Sequence, residues 1–180
     1  RGPLLVVERH DSPIVFPQFS YECQGTEDPR IVKIDGLYYL SYTAYDGVNA
    51  MGALAVSSDL VHWEKRGILV PQLTFAEFIR LATTHGPLNE KYSRYNDHEN
   101  LTGINGNRAL LWDKNLVFFP RRINGMIYFL HRIKPDIQIV SVQDISELTA
   151  EFWQHYCLHF QESIVLCPKY DHEISYVGGG

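Results

Sequence analysis

The hydrophobic and polar positions of the chain form two similar runs of short strands. Asp35-Gly36 is typical of a two-residue hairpin turn, so the segments on either side of it are predicted to pair as antiparallel strands. The predicted elements of the first run are a strand through Ile31–Ile34, that turn, a strand over Leu37–Thr43, a strand over Ala50–Ser57, a Ser58-Asp59 turn and a closing Trp63.

The second run repeats this order. Its predicted elements are a strand over Leu116–Ile123, an Asn124-Gly125 turn, a strand over Met126–Arg132, a strand over Asp136–Val142, Gln143-Asp144-Ile145 at the Ser-Asp position, and Phe152-Trp153 at the position of Trp63. An internal repeat of antiparallel strands predicts an all-β fold and is typical of propeller blades. Two similar hairpins in a β-sandwich are the alternative.

The two runs are separated by a predicted insertion at about residues 71–113. Thr74-Phe75-Ala76-Glu77 has the form of a capping box, and the apolar spacing after it predicts a short helix near residues 74–85 that stops by Gly86. A polar loop is predicted over Asn89–Asn107. Long loops on a propeller usually stand over the binding face.

The two ends of the chain hold weaker signals. Leu4–Glu8 and Ile164–Pro168 are predicted to be short strands, and the chain closes on three glycines, 178–180. Since a closed propeller needs about four to eight blades, the two visible runs indicate a single partial domain over residues 1–180 that belongs to a longer protein.

Composition narrows the classes of partner. The 180 residues carry a net charge of −5 with no basic stripe, which argues against nucleic-acid binding, and no apolar run approaches the length of a membrane helix. Cys23, Cys157 and Cys167 lack metal-ligand spacing and are predicted to be buried thiols. Asp97-His98-Glu99 is interpreted as a solvated loop rather than a metal site, and the Asn100-Leu101-Thr102 glycosylation sequon as a chance match. No spacing implies a metal or organic cofactor.

The strongest candidate chemistry lies in Gly25-Thr26-Glu27-Asp28-Pro29-Arg30, at the start of the first hairpin. Pro29 fixes its own φ and favours extended backbone at Asp28. The planar fork of Arg30 can hold a carboxylate, a sugar hydroxyl or a phosphate. An Arg–Asp pair that only braces the loop is the structural alternative.

Several motifs occur together in one order, and together they resemble those of glycoside hydrolase family 130, the β-mannoside phosphorylases and β-mannosidases. They are Gly25–Arg30, Tyr42–Gly47, Ser58-Asp59-Leu60 with Trp63, Lys114-Asn115 leading to Phe119-Pro120, Asn124-Gly125, Leu130-His131-Arg132 and Val177–Gly180. The resemblance implies a five-bladed β-propeller with an axial active site, of which this chain is the first part. It also implies cleavage of a terminal β-mannosyl unit with inversion, in which either inorganic phosphate, giving α-mannose 1-phosphate, or water attacks.

The resemblance also implies roles for individual residues. Asp28 corresponds to the general acid, and Glu27 beside it is expected to help raise its pKa. Lys114, His131 and Arg132 correspond to phosphate or substrate ligands, to which Arg66, or as second choice Lys65, adds charge. Arg30 is expected to brace Asp28 or to touch phosphate. The residues alone leave other roles open: a core histidine for His131, a solvated strand start for Lys114 and an outward position for Arg132.

Two departures from the family pattern bear on the reaction. Asn115 stands where many relatives have an acid, and the long insertion is expected to close one side of the pocket and restrict the substrate to short oligosaccharides. Glu173 is a possible general base if the enzyme is a hydrolase, or a ligand for a mannose hydroxyl.

The expected partner is a β-mannosyl oligosaccharide, with inorganic phosphate as co-substrate of a phosphorylase. A non-catalytic sugar-binding propeller is an alternative, and a protein-interaction platform ranks lowest. A homo-oligomer is possible, and the sequence leaves both the cytoplasm and the periplasm open.

Overall fold

A computed structural model of the protein describes residue 6 and residues 9–97, 108–173 and 175–178. Most of the predicted Leu4–Glu8 strand, His98-Glu99, the Asn100-Leu101-Thr102 sequon and the last two glycines lie outside these described residues. The described chain is mainly β, with two four-stranded antiparallel sheets and three α-helices.

The first sheet contains, in chain order, β1 (Gly25–Ile34), β2 (Leu37–Tyr45), β3 (Ala50–Ser57) and β4 (Glu64–Ile68). The predicted hairpin and third strand are therefore confirmed. Asp35 and Gly36 have φ of 49° and 86°, and positive φ at both central residues is what a type I′ hairpin turn requires. The predicted Ser-Asp turn follows β3, where Asp59 Oδ1 accepts hydrogen bonds from the backbone N–H groups of Val61 and His62 at 2.9 and 2.8 Å.

The second sheet contains β5 (Lys114–Phe118), β6 (Ile127–Arg132), β7 (Ile137–Val142) and β8 (Ile164–Leu166), again in chain order. Its hairpin turn matches the first one, since Asn124 and Gly125 have φ of 51° and 81°. The prediction for β5 was partly wrong: the strand begins at Lys114 and ends before Pro120. Proline has no N–H to donate to a strand ladder, so the regular pairing stops there.

The first strand of each sheet contains a bulge at the same place. β1 has one residue more than its partner within Glu27–Arg30, and β5 has one more within Lys114–Val117. Each bulge holds a residue in the left-handed region, Asp28 with φ 51° and Asn115 with φ 61°, so the extended backbone predicted for Asp28 is wrong. Asp and Asn enter this region more readily than other side chains with a Cβ. Bulges redirect side chains and recur beside active sites.

Two helices lie in the chain between the sheets. α1 (Phe75–Ala82) confirms the predicted helix, and its capping box is present: Glu77 N–H donates to Thr74 Oγ1 at 3.3 Å, and Thr74 N–H donates to Glu77 Oε2 at 2.7 Å. α2 (Lys91–Asn96) was missed, because it lies inside the predicted polar loop. Its buried Tyr92 donates a hydrogen bond to Asp136 Oδ2 at 2.6 Å, a partner that is distant in sequence. The boundaries of the 71–113 insertion stay a prediction.

The prediction that Phe152-Trp153 repeats the role of Trp63 is wrong. Trp153 lies on a third helix, α3 (Ala150–Leu158), and its indole N–H donates to the carbonyl of Leu69 at 3.0 Å. The indole of Trp63 instead donates to Leu60, three residues earlier in its own loop. Because α3 lies in the chain after β7, the fourth strand of the second sheet, β8, begins only at Ile164. Helical spacing of the aromatic residues Phe152, Tyr156 and Phe160 was the available signal.

The hydrophobic core joins the two sheets. Its largest cluster packs Ile34 and Leu54 of the first sheet against Phe129 and Val140 of the second. A second cluster beneath α1 and α3 includes Cys157, which is buried as predicted, whereas Cys23 and Cys167 are exposed. Among the helices of the described ranges, none is long and apolar enough to cross a bilayer.

Candidate functional site

A buried arginine stands at the end of the second sheet. Arg132, the last residue of β6, is 8% exposed and lies directly opposite Lys114 on β5. Its Nε has no hydrogen-bond partner among the residues that the structure describes. Burial lowers the pKa of Arg132, and the nearby charge of Arg30 adds to this effect. A buried N–H without a hydrogen-bond partner is costly, and an anion bound beside it would supply that partner.

Asp28 lies within electrostatic reach of Arg132, because its charge acts to raise the pKa of that guanidinium. The carboxylic residue is exposed, and the β1 bulge sets its direction. Arg30 Nη1 donates to the backbone carbonyl of Asp28 at 3.4 Å. This contact supports the backbone of the bulge. The structure therefore brings Asp28, Arg30, Arg132 and Lys114 to one region, where both bulged strands begin.

His131 has a different environment from the predicted one. The ring is fully buried, with Nδ1 2.7 Å from Asp113 Oδ2 and Nε2 2.7 Å from the hydroxyl of Tyr156. Burial raises the pKa of Tyr156, so its phenol stays neutral. Because both ring nitrogens already have partners inside the protein, this placement does not fit direct binding of phosphate. The environment matches the core histidine that the residues alone also allowed, and the role of His131 as a phosphate ligand stays a prediction.

Arg66 and Lys65 also lie away from the cationic region. Arg66 is exposed on β4 and pairs with Glu64 at 3.0 Å, and it lines a surface cavity with Tyr39 and Asp144 near the hairpin turns. Lys65 forms a buried ion pair with Glu22 and donates to the carbonyl of Phe16 at 2.6 Å. Neither placement fits the predicted added charge at a phosphate site, since the side chains point to other partners.

Glu173 belongs to a short 3-10 turn, Asp171–Glu173. Its Oε2 accepts hydrogen bonds from the backbone N–H groups of Lys169 at 2.8 Å and Tyr170 at 3.2 Å. These bonds hold the pKa of Glu173 below its ordinary value. A lowered pKa weakens a carboxylate as a base, and within the described parts of the chain no hydrogen bond joins Glu173 to Asp28 or Arg132. The role of Glu173 stays a prediction.

Sequence reasoning missed two residues of this region, Lys134 and Tyr176. The ring of Tyr176 lies beneath the guanidinium of Arg132 at 5.1 Å and beneath the ammonium of Lys134 at 4.3 Å. The position of Lys134, two residues after Arg132, was a usable signal. Nothing in the local sequence indicates that Tyr176, far along the chain, returns to this place.

The arrangement combines a carboxylic acid with several cations of fixed position. Lys114, Arg132 and Lys134 offer N–H donors for a tetrahedral oxyanion, and Asp28 beside them is placed to exchange a proton with a reacting group. Within the described ranges, no cluster of three or more His, Cys, Asp or Glu side chains has the geometry to hold a metal ion. Lys114, Arg132 and Lys134 are called the cationic cluster below.

Comparison with known proteins agrees with the resemblance. The family model of glycoside hydrolase family 130, described as beta-1,4-mannooligosaccharide phosphorylase, matches residues 5–152. A 1,2-beta-oligomannan phosphorylase of Thermoanaerobacter sp. (strain X514) is 30% identical over 140 residues, which cover 76% of this chain and 34% of that protein. A beta-1,2-mannobiose phosphorylase of the same organism is 35% identical over 68 residues, which cover 36% of this chain and 22% of that protein.

Solved structures share the fold at lower identity. A glycosyl hydrolase from Bacteroides ovatus superposes with a TM-score of 0.51 at 19% identity, over 77% of this chain and 34% of that one. A GH130 structure described with glycoside hydrolases that target beta-1,2 mannosidic linkages in Candida mannan gives the same score at 18% identity, over 77% and 34% of the two chains. The chain thus spans about a third of the length of these relatives.

Proposed function

Because the chain belongs to glycoside hydrolase family 130, we propose that the full-length protein cleaves terminal β-mannosides by phosphorolysis with inversion. The products are α-mannose 1-phosphate and a shortened sugar. The observation that carries this proposal is the buried Arg132, which lies opposite Lys114 and within electrostatic reach of Asp28 and whose Nε has no hydrogen-bond partner among the described residues. A phosphorylase needs such a cationic pocket because its nucleophile is an anion.

The roles follow from the charges. Inorganic phosphate binds the cationic cluster and attacks the anomeric carbon, so the reaction needs no protein base. The leaving oxygen needs a proton, which Asp28 supplies directly or through a sugar hydroxyl. Asp28 is suited to this role because the β1 bulge sets the direction in which its side chain leaves the backbone.

We extend the proposal to the architecture of the whole protein. The two sheets have the sequential antiparallel strand order of propeller blades, and a five-bladed propeller would place the bulged first strands around its axis. The full-length protein supplies the remaining blades and further ligands for the mannosyl unit. We expect the insertion at residues 71–113 to close one side of the pocket and to limit the substrate to short oligosaccharides.

Hydrolysis is the second candidate function, because a structure similar in fold is described with GH130 hydrolases. This candidate needs a carboxylate base opposite Asp28. Glu173 is the described residue that was predicted for it, but its carboxylate caps its own turn. The cationic cluster has no role in a reaction whose nucleophile is water, so phosphorolysis has the better support.

The test uses the full-length protein with β-linked mannobiose and β-mannosyl-glucose, each with and without inorganic phosphate. We expect α-mannose 1-phosphate, detected by phosphorus NMR, only when phosphate is present. Free mannose formed equally in both tubes would replace this proposal with hydrolysis. Binding of the disaccharide without any product would favour a sugar-binding propeller.

A further inference from the structure

Lys134 shares an aromatic platform with Arg132. The Lys134 ammonium lies 4.3 Å from the centre of the Tyr176 ring, and the Arg132 guanidinium lies 5.1 Å from it. A tyrosine ring attracts a cation placed over it, and the attraction grows as water is removed. Tyr176 therefore holds two cations close together that would otherwise repel each other.

The backbone on both sides of this platform is fixed. The carbonyl of Lys134 accepts a hydrogen bond of 2.6 Å from Nδ2 of the buried Asn96, and the N–H of Val177 donates to the carbonyl of Pro135 at 3.1 Å. The first contact fixes the start of the Lys134 side chain, and the second fixes the segment that carries Tyr176. These contacts hold the two backbone segments from which the Lys134 side chain and the Tyr176 ring extend, and the ring contact then places the ammonium.

The charge of Lys134 is not balanced by an ordinary ion pair. Among the described residues, no carboxylate lies within ion-pair distance of Lys134, Arg132 or Lys114. Burial lowers the pKa of Lys134, and repulsion from Arg132 and then Lys114 lowers it further. Three cations that repel one another, with no carboxylate at ion-pair distance among the described residues, form a site that an anion with several oxygens would stabilise.

We propose that Lys134 is a third anion-binding residue of the site, which donates to an oxygen of the same tetrahedral oxyanion as Arg132 and Lys114. Tyr176 is a positioning residue, which acts through the two cations above its ring. The identity of the oxyanion as the phosphate nucleophile rests on the proposed function. The binding of a tetrahedral dianion as such rests only on the geometry of the cluster.

The test compares Lys134→Gln with Lys33→Gln in the full-length protein. Lys33 is a matched control, because its ammonium also lies over a tyrosine, Tyr38, at 4.6 Å, but near the hairpin turn of β1. Affinities for inorganic phosphate and for sulfate are measured by calorimetry. We expect Lys134→Gln to weaken both by about tenfold, as for loss of a charged hydrogen bond, and Lys33→Gln to leave both unchanged. Lys134→Arg, which keeps the charge, restores most of the affinity.

The pH dependence gives an independent readout. Sulfate stays a dianion over the range used, so its affinity reports the protein alone. Lys134 attracts the anion only while it is protonated. Because its pKa is lowered, it loses its charge, and with it this attraction, at a lower pH than an ordinary lysine does. As the pH rises towards the ordinary lysine pKa of about 10.4, we expect sulfate affinity to fall in the wild type and to fall less in Lys134→Gln.

The outcomes separate the two proposals. Phosphate-dependent turnover in the wild type, together with unchanged anion affinity in a folded Lys134→Gln, overturns the inference and leaves the proposed function standing. Turnover that ignores phosphate overturns the proposed function. In that case a tenfold loss of sulfate affinity in Lys134→Gln still supports the anion site.

Discussion

Lys114 and Arg132 are direct cross-strand partners, and both carry a positive charge. Like charges placed opposite each other in a sheet destabilise the pairing by a few tenths of a kcal/mol or more. Burial of Arg132 adds to this cost. The pair is unfavourable as a structural feature and favourable as part of an anion site, which is why it carries the functional proposal.

Removal of one charge from this pair is expected to stabilise the anion-free protein. In phosphate-free buffer, Lys114→Gln should melt at the same temperature as the wild type or slightly above it, because a repulsion is lost. Phosphate raises the melting temperature of any protein whose folded state binds it. This rise should be clearly smaller in Lys114→Gln, and an equal rise in both proteins would remove Lys114 from the anion site.

Replacement of Asp28 separates chemistry from backbone conformation. Asn tolerates the positive φ at this position, so Asp28→Asn should fold normally and lose about 10²–10⁴-fold in kcat through loss of the general acid. Asp28→Ala would add backbone strain of about 1–2 kcal/mol and confuse the two effects. Initial rates and denaturant unfolding are measured on the same samples. A kcat within twofold of the wild type would contradict the assignment.

His131 is expected to affect stability more than binding. His131→Ala leaves a cavity and an unpaired buried carboxylate on Asp113, so the free energy of unfolding should fall by about 2–5 kcal/mol. Tyr156→Phe removes the hydroxyl that contacts His131 Nε2 and donates to the Ile139 carbonyl, and should cost about 1–2 kcal/mol. Urea titration gives both values. The milder Tyr156→Phe should keep the wild-type KM for phosphate, and a tenfold rise in that KM would restore a binding role for this network.

The ion pairs of the neighbouring residues Lys65 and Arg66 should contribute very differently to the free energy of unfolding. Glu22→Ala leaves the buried ammonium of Lys65 unpaired and should destabilise the protein by about 3–5 kcal/mol. Arg66→Ala removes only an exposed pair with Glu64 and should change stability by less than about 0.5 kcal/mol. Thermal and urea unfolding measure this contrast. Arg66→Ala should also leave the KM for phosphate unchanged, whereas a large rise would return Arg66 to the site.

The fold was predictable wherever local chemistry dictates the backbone. Asp35-Gly36 and Asn124-Gly125 were identified as hairpin turns because few other pairs accept positive φ twice in succession. Thr74 identified the start of α1 because its hydroxyl caps the helix within four residues. α3 was not predicted, because Trp153 follows a turn just as Trp63 does in the first run of strands, and this likeness hides the helical spacing around it.

The site was predictable only in part, for a related reason. The pairing of β5 with β6 places Lys114 opposite Arg132, whereas Asp28 lies in the other sheet and comes within electrostatic reach of Arg132 only through the packing of the two sheets. Strand periodicity does not say that His131 faces the core and Arg132 the opposite side until the register is known. Tyr176 and Asn96 reach the cluster through tertiary contacts that no local pattern encodes.

The most direct test of the central claim is the rate of β-mannobiose cleavage as a function of phosphate concentration, for the wild type and Arg132→Gln side by side. We predict that the wild-type rate rises from near zero to saturation as phosphate is added. In folded Arg132→Gln, the KM for phosphate should rise by tenfold or more while the KM for mannobiose changes little. A wild-type rate that is the same with and without phosphate, and equal to that of the variant, would contradict the account.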